Sequence, residues 1–302
     1  MIKKIKYVTS ATIIMVAAGA IPAFAANKPL PEKTFLKAMS FNMRFDTPKD
    51  TAQLSWDARQ KPIQRMMEEI MPDVAGVQEL TSTMTDSLYS FLPEYGHYRF
   101  PLPSQSHKSP DIAVLYKKDR LAPLDSGYFF LSATPDTISV PWDSTDKHVR
   151  GCVWVKLHDR FSGKDIYYFS THLPYKKAKV DTKVRAQCAS LINSKIKEIA
   201  GDGAIVFVTG DMNAGDNPAD PRSPSLVPFF DYMKSARRAA LFTNNRSSFN
   251  GFGKINPMIR DKNLDHIFYR NAEPILFETI DYPGYGTLYI SDHYPIMAHF
   301  KL

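Results

Sequence analysis

The stretch AIVFVTGDMN, residues 204–213, carries the pattern that decides the fold. Residues 204–209 form an apolar run of strand length, rich in β-branched side chains, which predicts a buried β-strand. Asp211 and Asn213 follow the run at once and stand at the end of that strand. Such residues usually form a turn by hydrogen-bonding their own backbone, so this stretch alone predicts a strand and leaves its polar end unassigned.

Eight other runs of apolar, β-branched or aromatic residues also have the length of a strand and end in turn residues. Three amphipathic helical patterns lie among them. This mixture predicts an α/β (α+β) fold with two sheets packed face to face and helices on their outer faces. The eight strands are predicted at 35–41, 74–77, 112–116, 127–131, 149–157, 166–170, 264–269 and 294–300. The helical patterns cover 63–70, 84–91 and 180–199.

Directly after residues 204–213, the chain from 215 to 228 carries four prolines and no strand or helix pattern. It predicts a long loop, and long loops in compact domains are often functional. The sequence contains no internal repeat and no low-complexity tract. Roughly 277 residues after position 25 can bury one large core, so residues 26–302 are predicted to form a single domain.

The first 25 residues have the composition of an export signal peptide. Three lysines precede an apolar run from residue 7 to about residue 21, and Ala23 and Ala25 place small residues at both cleavage-site positions. We predict cleavage after Ala25 and export, to the periplasm or beyond the cell. The run is short for a span of about 20 apolar residues, which predicts no stable membrane insertion of the mature chain. An uncleaved anchor is the alternative.

Charge and cysteine content say little about the partner. The net charge of +7 falls to about +4 without the signal peptide, because that segment holds three lysines and no acid. A mildly basic chain is a weak indication of an anionic substrate. Cys152 and Cys188 are too few for a disulfide-held scaffold, and both lie in apolar patterns. A bridge and two buried thiols are both compatible with the sequence.

Polar side chains that can bind metals or move protons recur at the ends of the predicted strands. Each is weak evidence alone, because a polar residue at a strand end is usually part of a solvated turn. Strands of one sheet can bring such ends to one rim, which predicts a shared site. The motifs are SFNMR at 40–44, GVQE at 76–79, STHL at 170–173, GDMN at 210–213, DH at 265–266 and SDH at 291–293.

Together, and in this order, the six motifs resemble the endonuclease/exonuclease/phosphatase superfamily, which includes secreted deoxyribonucleases, abasic-site endonucleases, neutral sphingomyelinases and inositol-polyphosphate phosphatases. GDMN and SDH are the most specific elements. The opening MSFNMRFD at 39–46, with Trp56 and Arg59 downstream, is most similar to the small secreted bacterial members. The resemblance covers nearly the whole mature chain. It implies a four-layer α-β-β-α sandwich of two packed mixed β-sheets with helices on the outer faces.

The resemblance also implies a phosphodiesterase that depends on Mg²⁺ or Mn²⁺, and the residue types suit that chemistry. Hydrolysis needs a positioned water, neutralised phosphate charge and support for the leaving oxygen. The implied metal-side residues are Asn42, Glu79 and Asp292, which carry the oxygen atoms that such ions prefer. The implied catalytic residues are Asp211 for water, Asn213 as a hydrogen-bond donor, His293 on the phosphate with Asp265 orienting it, and His172 as donor to a phosphate or leaving oxygen.

Several assignments in this site stay open. Either Asp211 or the Asp265–His293 pair can act as the base, and one ion or two can be bound. Arg44 and Arg150 are candidates to grip phosphate bidentately, although an arginine at a strand end is often a surface ion-pair partner.

The chain departs from the small secreted group in two segments. After His172, those members often continue with an acidic residue and a second histidine, whereas LPYKK stands here at 173–177. SQSHKSPD at 104–111 replaces a Gly-rich acidic stretch. We therefore expect different substrate contacts beside His172, while the six motifs are unaffected.

Nucleic acid is the first predicted substrate, because the superfamily includes secreted nucleases and the mature chain is mildly basic. A lipid phosphodiester is second, and an inositol or sugar phosphate monoester is third. A glycosidase that used Asp265 and Asp292 would leave Glu79 and Asp211 unexplained. A secreted binding protein on a nuclease fold should have lost a motif residue, and all are present. We therefore predict an enzyme, acting as a monomer.

Overall fold

The computed structural model describes residues 35–100, 111–258, 262–282 and 285–302. The predicted signal peptide and most of the SQSHKSPD segment lie outside these residues. The described residues belong to one compact unit, which runs from Lys33 to Leu302. None of the helices within the described ranges is both long enough and apolar enough to cross a bilayer.

Strands outnumber helices along the described chain. The first half contains β1 (Leu36–Asn42), α1 (Trp56–Ile70), β2 (Val74–Leu80), α2 (Ser82–Phe91), β3 (Tyr95–Arg99), β4 (Asp111–Lys117), β5 (Leu121–Phe130), β6 (Gly151–Asp159) and β7 (Lys164–His172). The second half contains α3 (Lys179–Ile199), β8 (Ile205–Asp211), α4 (Val227–Tyr232), β9 (Lys234–Ser235), α5 (Ala236–Ala239), β10 (Phe242–Thr243), β11 (Asp265–Arg270), β12 (Glu273–Thr279) and β13 (Ile296–Lys301). Short 3₁₀ helices lie at Ala52–Leu54 and Ser223–Leu226.

The strands form two mixed sheets. The first has the order β10-β12-β13-β1-β2-β4-β3, and the second has the order β5-β6-β7-β8-β11-β9. The parallel pair β1 and β2 lies inside the first sheet, and the parallel pair β7 and β8 lies inside the second. The carboxyl ends of two strands in each sheet therefore point to the same edge.

The apolar side chains separate into three clusters, which define four layers. The first cluster joins residues of both sheets, such as Val74 and Phe300 with Tyr168 and Phe207, and fills the space between the sheets. The second joins the first sheet to α1 and α2, and the third joins the second sheet to α3 and α4. Period-2 alternation in β8 directs Phe207 inward and its neighbours outward. The predicted α-β-β-α sandwich is confirmed.

Helix caps explain where two of these helices begin. The Ser55 side chain accepts from Ala58 N at the start of α1, and the Thr81 side chain accepts from Met84 N at the start of α2. Helix α1 ends at Met71, which has the left-handed conformation typical of a helix terminus. Both helices follow strands of the first sheet, α1 after a loop and α2 directly after β2.

The two sheets are in close contact beneath the strand ends that carry the polar motifs. A Cβ on Gly76 would lie 2.2 Å from Thr209 Oγ1 and 2.8 Å from Ser170 Oγ, so only glycine fits there. Gln78 Nε2 donates to Ser170 Oγ across the gap at 3.2 Å. Buried polar contacts thus fix the spacing of the two sheets. They lie on each strand just before its site residue.

All nine predicted strands and all three predicted helices are present, although several strand ends differ by a few residues. The short or irregular strands were not predicted. β3 lies at a sheet edge with the sequence YGHYR, and β12 contains Pro274 and a shift in pairing after it. The stretch 215–228 is not entirely loop, because it includes the second 3₁₀ helix and the start of α4. Cys152 and Cys188 are both buried free thiols.

Candidate active site

Four strand ends and one strand start meet at one edge of the two sheets. Asn42 ends β1, His172 ends β7 and Asp211 ends β8. Glu79 is the last residue but one of β2, and Asp265 begins the antiparallel β11. In the second sheet, His172 and Asp265 lie on either side of Asp211 in register. The polar motifs therefore do converge on one rim.

The backbone at this rim turns side chains out of the sheets. Glu79 has a φ of 64° and lies where the pairing of β2 with β4 shifts register. Asn213 and Arg44 are also left-handed, with φ values of 51° and 57°. A non-glycine residue in this region costs of order 1–3 kcal/mol, and such strain is concentrated at functional sites.

Asn42 joins carboxylates from the two sheets. Its Nδ2 donates to Glu79 Oε1 at 3.0 Å and to Asp211 Oδ2 at 3.1 Å. Its Oδ1 accepts from Arg44 N at 3.0 Å, and Glu79 Oε2 accepts from Phe45 N at 3.0 Å. Asn42 therefore holds Glu79 and Asp211 side by side. In this orientation its amide oxygen, the atom expected to face a metal, is directed at the backbone.

His293 lies between two buried carboxylates. Its Nδ1 is 2.7 Å from Asp265 Oδ2, and its Nε2 is 3.7 Å from Asp211 Oδ2. Burial lowers the pKa of His293, but the charges of Asp265 and Asp211 outweigh it and raise that pKa well above its usual range. Burial raises the pKa of Asp211 to about 7, although the attraction of His293 opposes the change. Asp211 therefore lies beside a histidine whose raised pKa favours its protonated form.

His172 completes the second-sheet side of the rim. Its Nε2 lies 3.1 Å from Asn213 Nδ2, and the same amide donates to Leu173 O at 3.0 Å. Nε2 is therefore the acceptor, and the proton belongs on Nδ1, which is buried without a hydrogen-bond partner among the described residues. Burial and the nearby Arg150 lower the pKa of His172 well below its usual range. His172 is neutral, and its predicted donation to phosphate stays a prediction.

Asn213 also positions Asp211. The Asn213 N–H donates to Asp211 Oδ1 at 2.8 Å, so the GDMN turn does bond to its own backbone. Asp211 Oδ2 is left to face Asn42, His172 and His293, at 3.1, 3.5 and 3.7 Å. One turn thereby fixes one carboxylate oxygen and presents the other to the site.

Asp292 lies beside Arg44. Its Oδ2 lies 3.9 Å from Arg44 Nη1, and its side chain is 17% exposed. Burial raises the pKa of Asp292, and the charge of Glu79 adds to the shift while His293 opposes it. Glu79 and Asp292 are therefore close enough to repel each other.

We call Glu79, Asp211, Asp265 and Asp292 the acidic cluster. Ligand atoms of Glu79, His172 and Asp211 lie within 4.8 Å of one another, and so do those of Asp211, Asp265 and His293. Carboxylates placed this close repel one another, and a divalent cation would offset that repulsion. An oxygen-rich donor set is the kind that Mg²⁺ or Mn²⁺ prefers. The residues of the acidic cluster fit such an ion.

The rim opens into a cavity of about 690 Å³. Its floor contains the predicted site residues Glu79, His172, Asp211, Asn213, Asp292 and His293. Six cationic side chains line its walls: Arg44, Lys49, Arg150, Lys177, Arg222 and Lys262. The cavity is therefore suited to a ligand with several negative charges.

Arg44 and Arg150, the two predicted phosphate ligands, both line this cavity and both bind an aspartate. Arg44 Nε and Nη2 donate to Asp50 at 2.8 and 3.1 Å. Arg150 Nε and Nη2 both donate to Asp146 Oδ2, at 3.2 and 2.8 Å. One edge of each guanidinium is thus engaged by protein, and only the Nη1–Nη2 edge is left for a ligand.

Sequence reasoning missed the other cations of the cavity. Lys177 belongs to a basic run that is typical of a solvated surface, and nothing in the run distinguishes it from Lys176. Arg222 lies in the proline-rich stretch 215–228, whose position directly after GDMN was the available indication of function. Their arrival at the cavity depends on loop contacts that no local pattern encodes.

The sequence model of the Endonuclease/Exonuclease/phosphatase family matches residues 39–293, a range that contains every site residue named above. No curated protein matches the chain. Among solved structures, an endonuclease/exonuclease/phosphatase from Bacteroides vulgatus has 28% sequence identity and a TM-score of 0.78, with 89% of this chain and 99% of that chain covered.

Two more distant structures have the same fold. A mannosyl-6-phosphatase of Bacteroides thetaiotaomicron has 22% identity and a TM-score of 0.76, covering 88% of this chain and 100% of that chain. A D. rerio TDP2, complexed with single strand DNA product, has 19% identity and a TM-score of 0.66, covering 89% and 100%. The names of these two structures indicate different substrates. The shared fold therefore does not identify the substrate of this chain.

Proposed function

This chain belongs to the endonuclease/exonuclease/phosphatase family, whose members are metal-dependent phosphoesterases, and from that premise we propose that it hydrolyses phosphodiester bonds by attack of water. The observation that carries the proposal is the acidic cluster with His293 at the floor of a cavity walled by cations. Phosphoryl transfer needs positioning and charge stabilisation more than covalent chemistry, and this arrangement offers both.

Glu79 and Asp292 would hold Mg²⁺ or Mn²⁺, with Asn42 as a further oxygen ligand once its amide is turned toward the ion. When bound, the ion supplies positive charge to the phosphate oxygens. Arg44 lies 3.9 Å from Asp292 and would contribute a second positive charge on the same side. Phe45 N keeps Glu79 in place through its hydrogen bond to Oε2.

Asp211 is the proposed base. Its Oδ1 is fixed by Asn213 N, and its Oδ2, which accepts from Asn42 Nδ2 at 3.1 Å, would take the proton from water. A pKa of about 7 is close to the optimum for general-base catalysis at neutral pH. His293, kept protonated by Asp265 and Asp211, would donate to a phosphate oxygen. This division of roles favours Asp211 over the Asp265–His293 pair as the base.

Nucleic acid is the first proposed substrate, as the end of a single strand rather than a duplex. A volume of about 690 Å³ lies within the range of about 300–1,000 Å³ typical of pockets that enclose a small ligand. A strand end can enter such a cavity, and its phosphates would meet the cationic walls. The D. rerio TDP2 of the same fold was solved with a single strand DNA product, which makes this class the first to test.

A sugar phosphate monoester is the second candidate, and the same cavity volume favours it. The enclosed shape suits a whole sugar phosphate as well as it suits one nucleotide. The mannosyl-6-phosphatase of the same fold makes the comparison worth including in the test.

The test is a substrate panel with purified mature protein, run with Mg²⁺, with Mn²⁺ and with chelator. The panel contains bis(4-nitrophenyl) phosphate, a 5′-labelled single-stranded oligonucleotide, plasmid DNA, mannose 6-phosphate and a sphingomyelin vesicle. We expect metal-dependent release from the generic diester and the oligonucleotide. Hydrolysis of mannose 6-phosphate alone would replace the diesterase proposal with the monoesterase, and turnover of the vesicle alone would make the enzyme a lipid phosphodiesterase.

We also propose that the protein is exported after cleavage at Ala25. The proposal rests on the three lysines, the apolar run and the small residues at 23 and 25. The mature N-terminus, determined by mass spectrometry on protein recovered from the periplasm and medium, should begin at Ala26. Recovery of the intact N-terminus in the membrane fraction would instead support an uncleaved anchor.

A further inference from the structure

Three arginines of the cavity share one arrangement. Each engages Nε and Nη2 with an aspartate that lies close in sequence, and no described residue forms a hydrogen bond with its Nη1. The pairs are Arg44 with Asp50, Arg150 with Asp146, and Arg222 with Asp220. The aspartate fixes the plane of the guanidinium and leaves its Nη1–Nη2 edge as a two-donor fork, the geometry that matches phosphate oxygens.

Arg150 and Arg222 line the same cavity as Arg44 but have different neighbours. Arg44 is next to Asp292 and Glu79, on the metal side of the acidic cluster. Arg150 is paired with Asp146 and lies near His172, on the second-sheet side. Arg44 therefore lies where the cleaved phosphate is expected. Arg150 and Arg222 have no role in the proposed reaction.

Asp146 forms hydrogen bonds with Arg150 and with two neighbouring loops. Its Oδ2 accepts from Arg150 and from Tyr175 N, at 2.8 and 3.3 Å. Its Oδ1 lies 2.5 Å from His148 Nδ1. The aspartate is fully buried, and these hydrogen bonds together with the charge of Arg150 outweigh burial and keep its pKa below the usual range. Asp146 thus joins the loop before β6 to the loop after β7 and orients the cationic group between them.

Arg185, on α3, joins the second of these loops to the segment that carries Arg222. Its Nη1 donates to Pro174 O at 2.9 Å and to Lys176 O at 2.7 Å. Its Nε donates to Ser225 Oγ at 3.1 Å, in the 3₁₀ helix that follows Arg222. Arg185 is completely buried, so the loop at 173–177 and the segment at 222–225 are fixed together. Arg185 thereby fixes the backbone next to Lys177 and Arg222.

We propose that Arg150, Lys177 and Arg222, here called the arginine wall, bind a second phosphate group of the substrate, beside the phosphate that is cleaved. Two guanidinium forks and one ammonium match the charge and the several oxygens of a phosphate better than those of a single carboxylate. The proposal rests on the proposed function only for the position of the cleaved phosphate. The second phosphate can belong to the next nucleotide of a strand or to a sugar bisphosphate.

Binding without turnover tests this subsite. Calorimetric titration in the presence of chelator would compare thymidine 5′-phosphate with thymidine 3′,5′-bisphosphate, and glucose 6-phosphate with glucose 1,6-bisphosphate, on the full mature chain. We expect the bisphosphate to bind about tenfold more tightly in at least one pair, because charged hydrogen bonds to a buried fork are worth that much. A gain confined to the nucleosides identifies a nucleotide, and a gain confined to the sugars identifies a sugar bisphosphate.

The matched variants are Lys177→Gln and Lys176→Gln. Both lysines are exposed neighbours, but only Lys177 lines the cavity, while Lys176 lies over the Tyr175 ring. K177Q should reduce the preference for the bisphosphate several-fold, and K176Q should keep the parental ratio. A double variant, Asp220→Asn with Arg222→Gln, removes a charge pair without leaving a lone buried carboxylate and should also lower the ratio.

Two results would overturn the subsite. One is equal affinity for the monophosphate and the bisphosphate in both pairs, and the other is an unchanged ratio in both K177Q and the folded double variant. Absence of hydrolysis in the substrate panel would contradict the proposed function instead, because the titration requires neither metal nor turnover.

Discussion

The aspartates of the acidic cluster and the aspartates that orient the arginine wall are in opposite electrostatic states. Asp211 is buried and Asp292 is half-buried, and both have raised pKa values, because burial is reinforced by other carboxylates and only partly offset by His293. Asp146 and Asp220 are also buried, yet hydrogen bonds and ion pairs to a histidine or an arginine outweigh burial and lower their pKa values. The arginines that Asp146 and Asp220 orient line the same cavity as Asp211 and Asp292.

This difference separates aspartates that stabilise the fold from carboxylates that take part in the reaction. Asp146 and Asp220, which orient the arginine wall, are each paired with a cation. These pairs contribute to folding and hold three loops in position. In the acidic cluster the negative charges exceed the available cations, an arrangement that costs stability unless a metal is bound. Substitutions in the cluster should therefore affect catalysis first, and substitutions that break the wall's pairs should affect stability first.

The largest expected effect is on catalysis in Asp211→Asn. Asparagine can still accept from Asn213 N but cannot take a proton from water, so kcat should fall by about 10²–10⁴-fold. The melting temperature should fall less than it does for a variant of Asp146. Steady-state kinetics on the generic diester and a thermal melt measure both, with Asp119→Asn, an exposed carboxylate in a turn, as the control. An active D211N would contradict the assignment of the base.

The next effect is on the histidine of the cluster, through Asp265→Asn. Asp265 accepts from His293 at 2.7 Å and raises its pKa, so the variant should lose about 10²-fold in kcat through a less protonated and less oriented donor. The alkaline limb of the kcat–pH profile should also move to lower pH. A variant that lost activity without any change in that profile would restrict Asp265 to a structural role.

Asp146→Asn tests whether the pairs that orient the arginine wall stabilise the fold. The variant leaves Arg150 with a weaker partner in a buried position. Removing one partner of a buried pair costs about 3–5 kcal/mol, so we expect a loss of about 3 kcal/mol in the free energy of unfolding. Denaturant titration measures it, again with Asp119→Asn as the control. A variant as stable as its parent would show that the wall does not contribute to folding.

A smaller effect is the dependence of that loss on pH. The pKa of Asp146 is lower in the folded protein than in the unfolded chain, so its contribution to stability is present above about pH 4 and is lost as the pH falls through the folded value. The stability difference between parent and D146N should therefore be constant from pH 6 to pH 8 and shrink below about pH 4. A difference that grew in acid would have the wrong sign for a lowered pKa.

The sequence predicted the acidic cluster better than the arginine wall, for a physical reason. Residues such as Glu79 and Asp211 stand at strand ends, and the period-2 pattern of a buried strand fixes where its end lies in the fold. Arg222 and Lys177 reach the cavity through tertiary contacts, above all those of Arg185 and Asp146, between loops distant in sequence. The missed strands β3 and β12 have the same explanation, because edge pairing and a bulge, not local pattern, hold them.

Magnesium binding to the parent, to Glu79→Gln and to D146N, measured by titration calorimetry, tests the central contrast most directly. If the acidic cluster holds the ion and the arginine wall does not, the parent and folded D146N should bind Mg²⁺ with similar affinity. Glu79→Gln should weaken binding by about tenfold or more. Equal binding in the parent and Glu79→Gln, or loss of binding in D146N that is still folded, would contradict this account of the site.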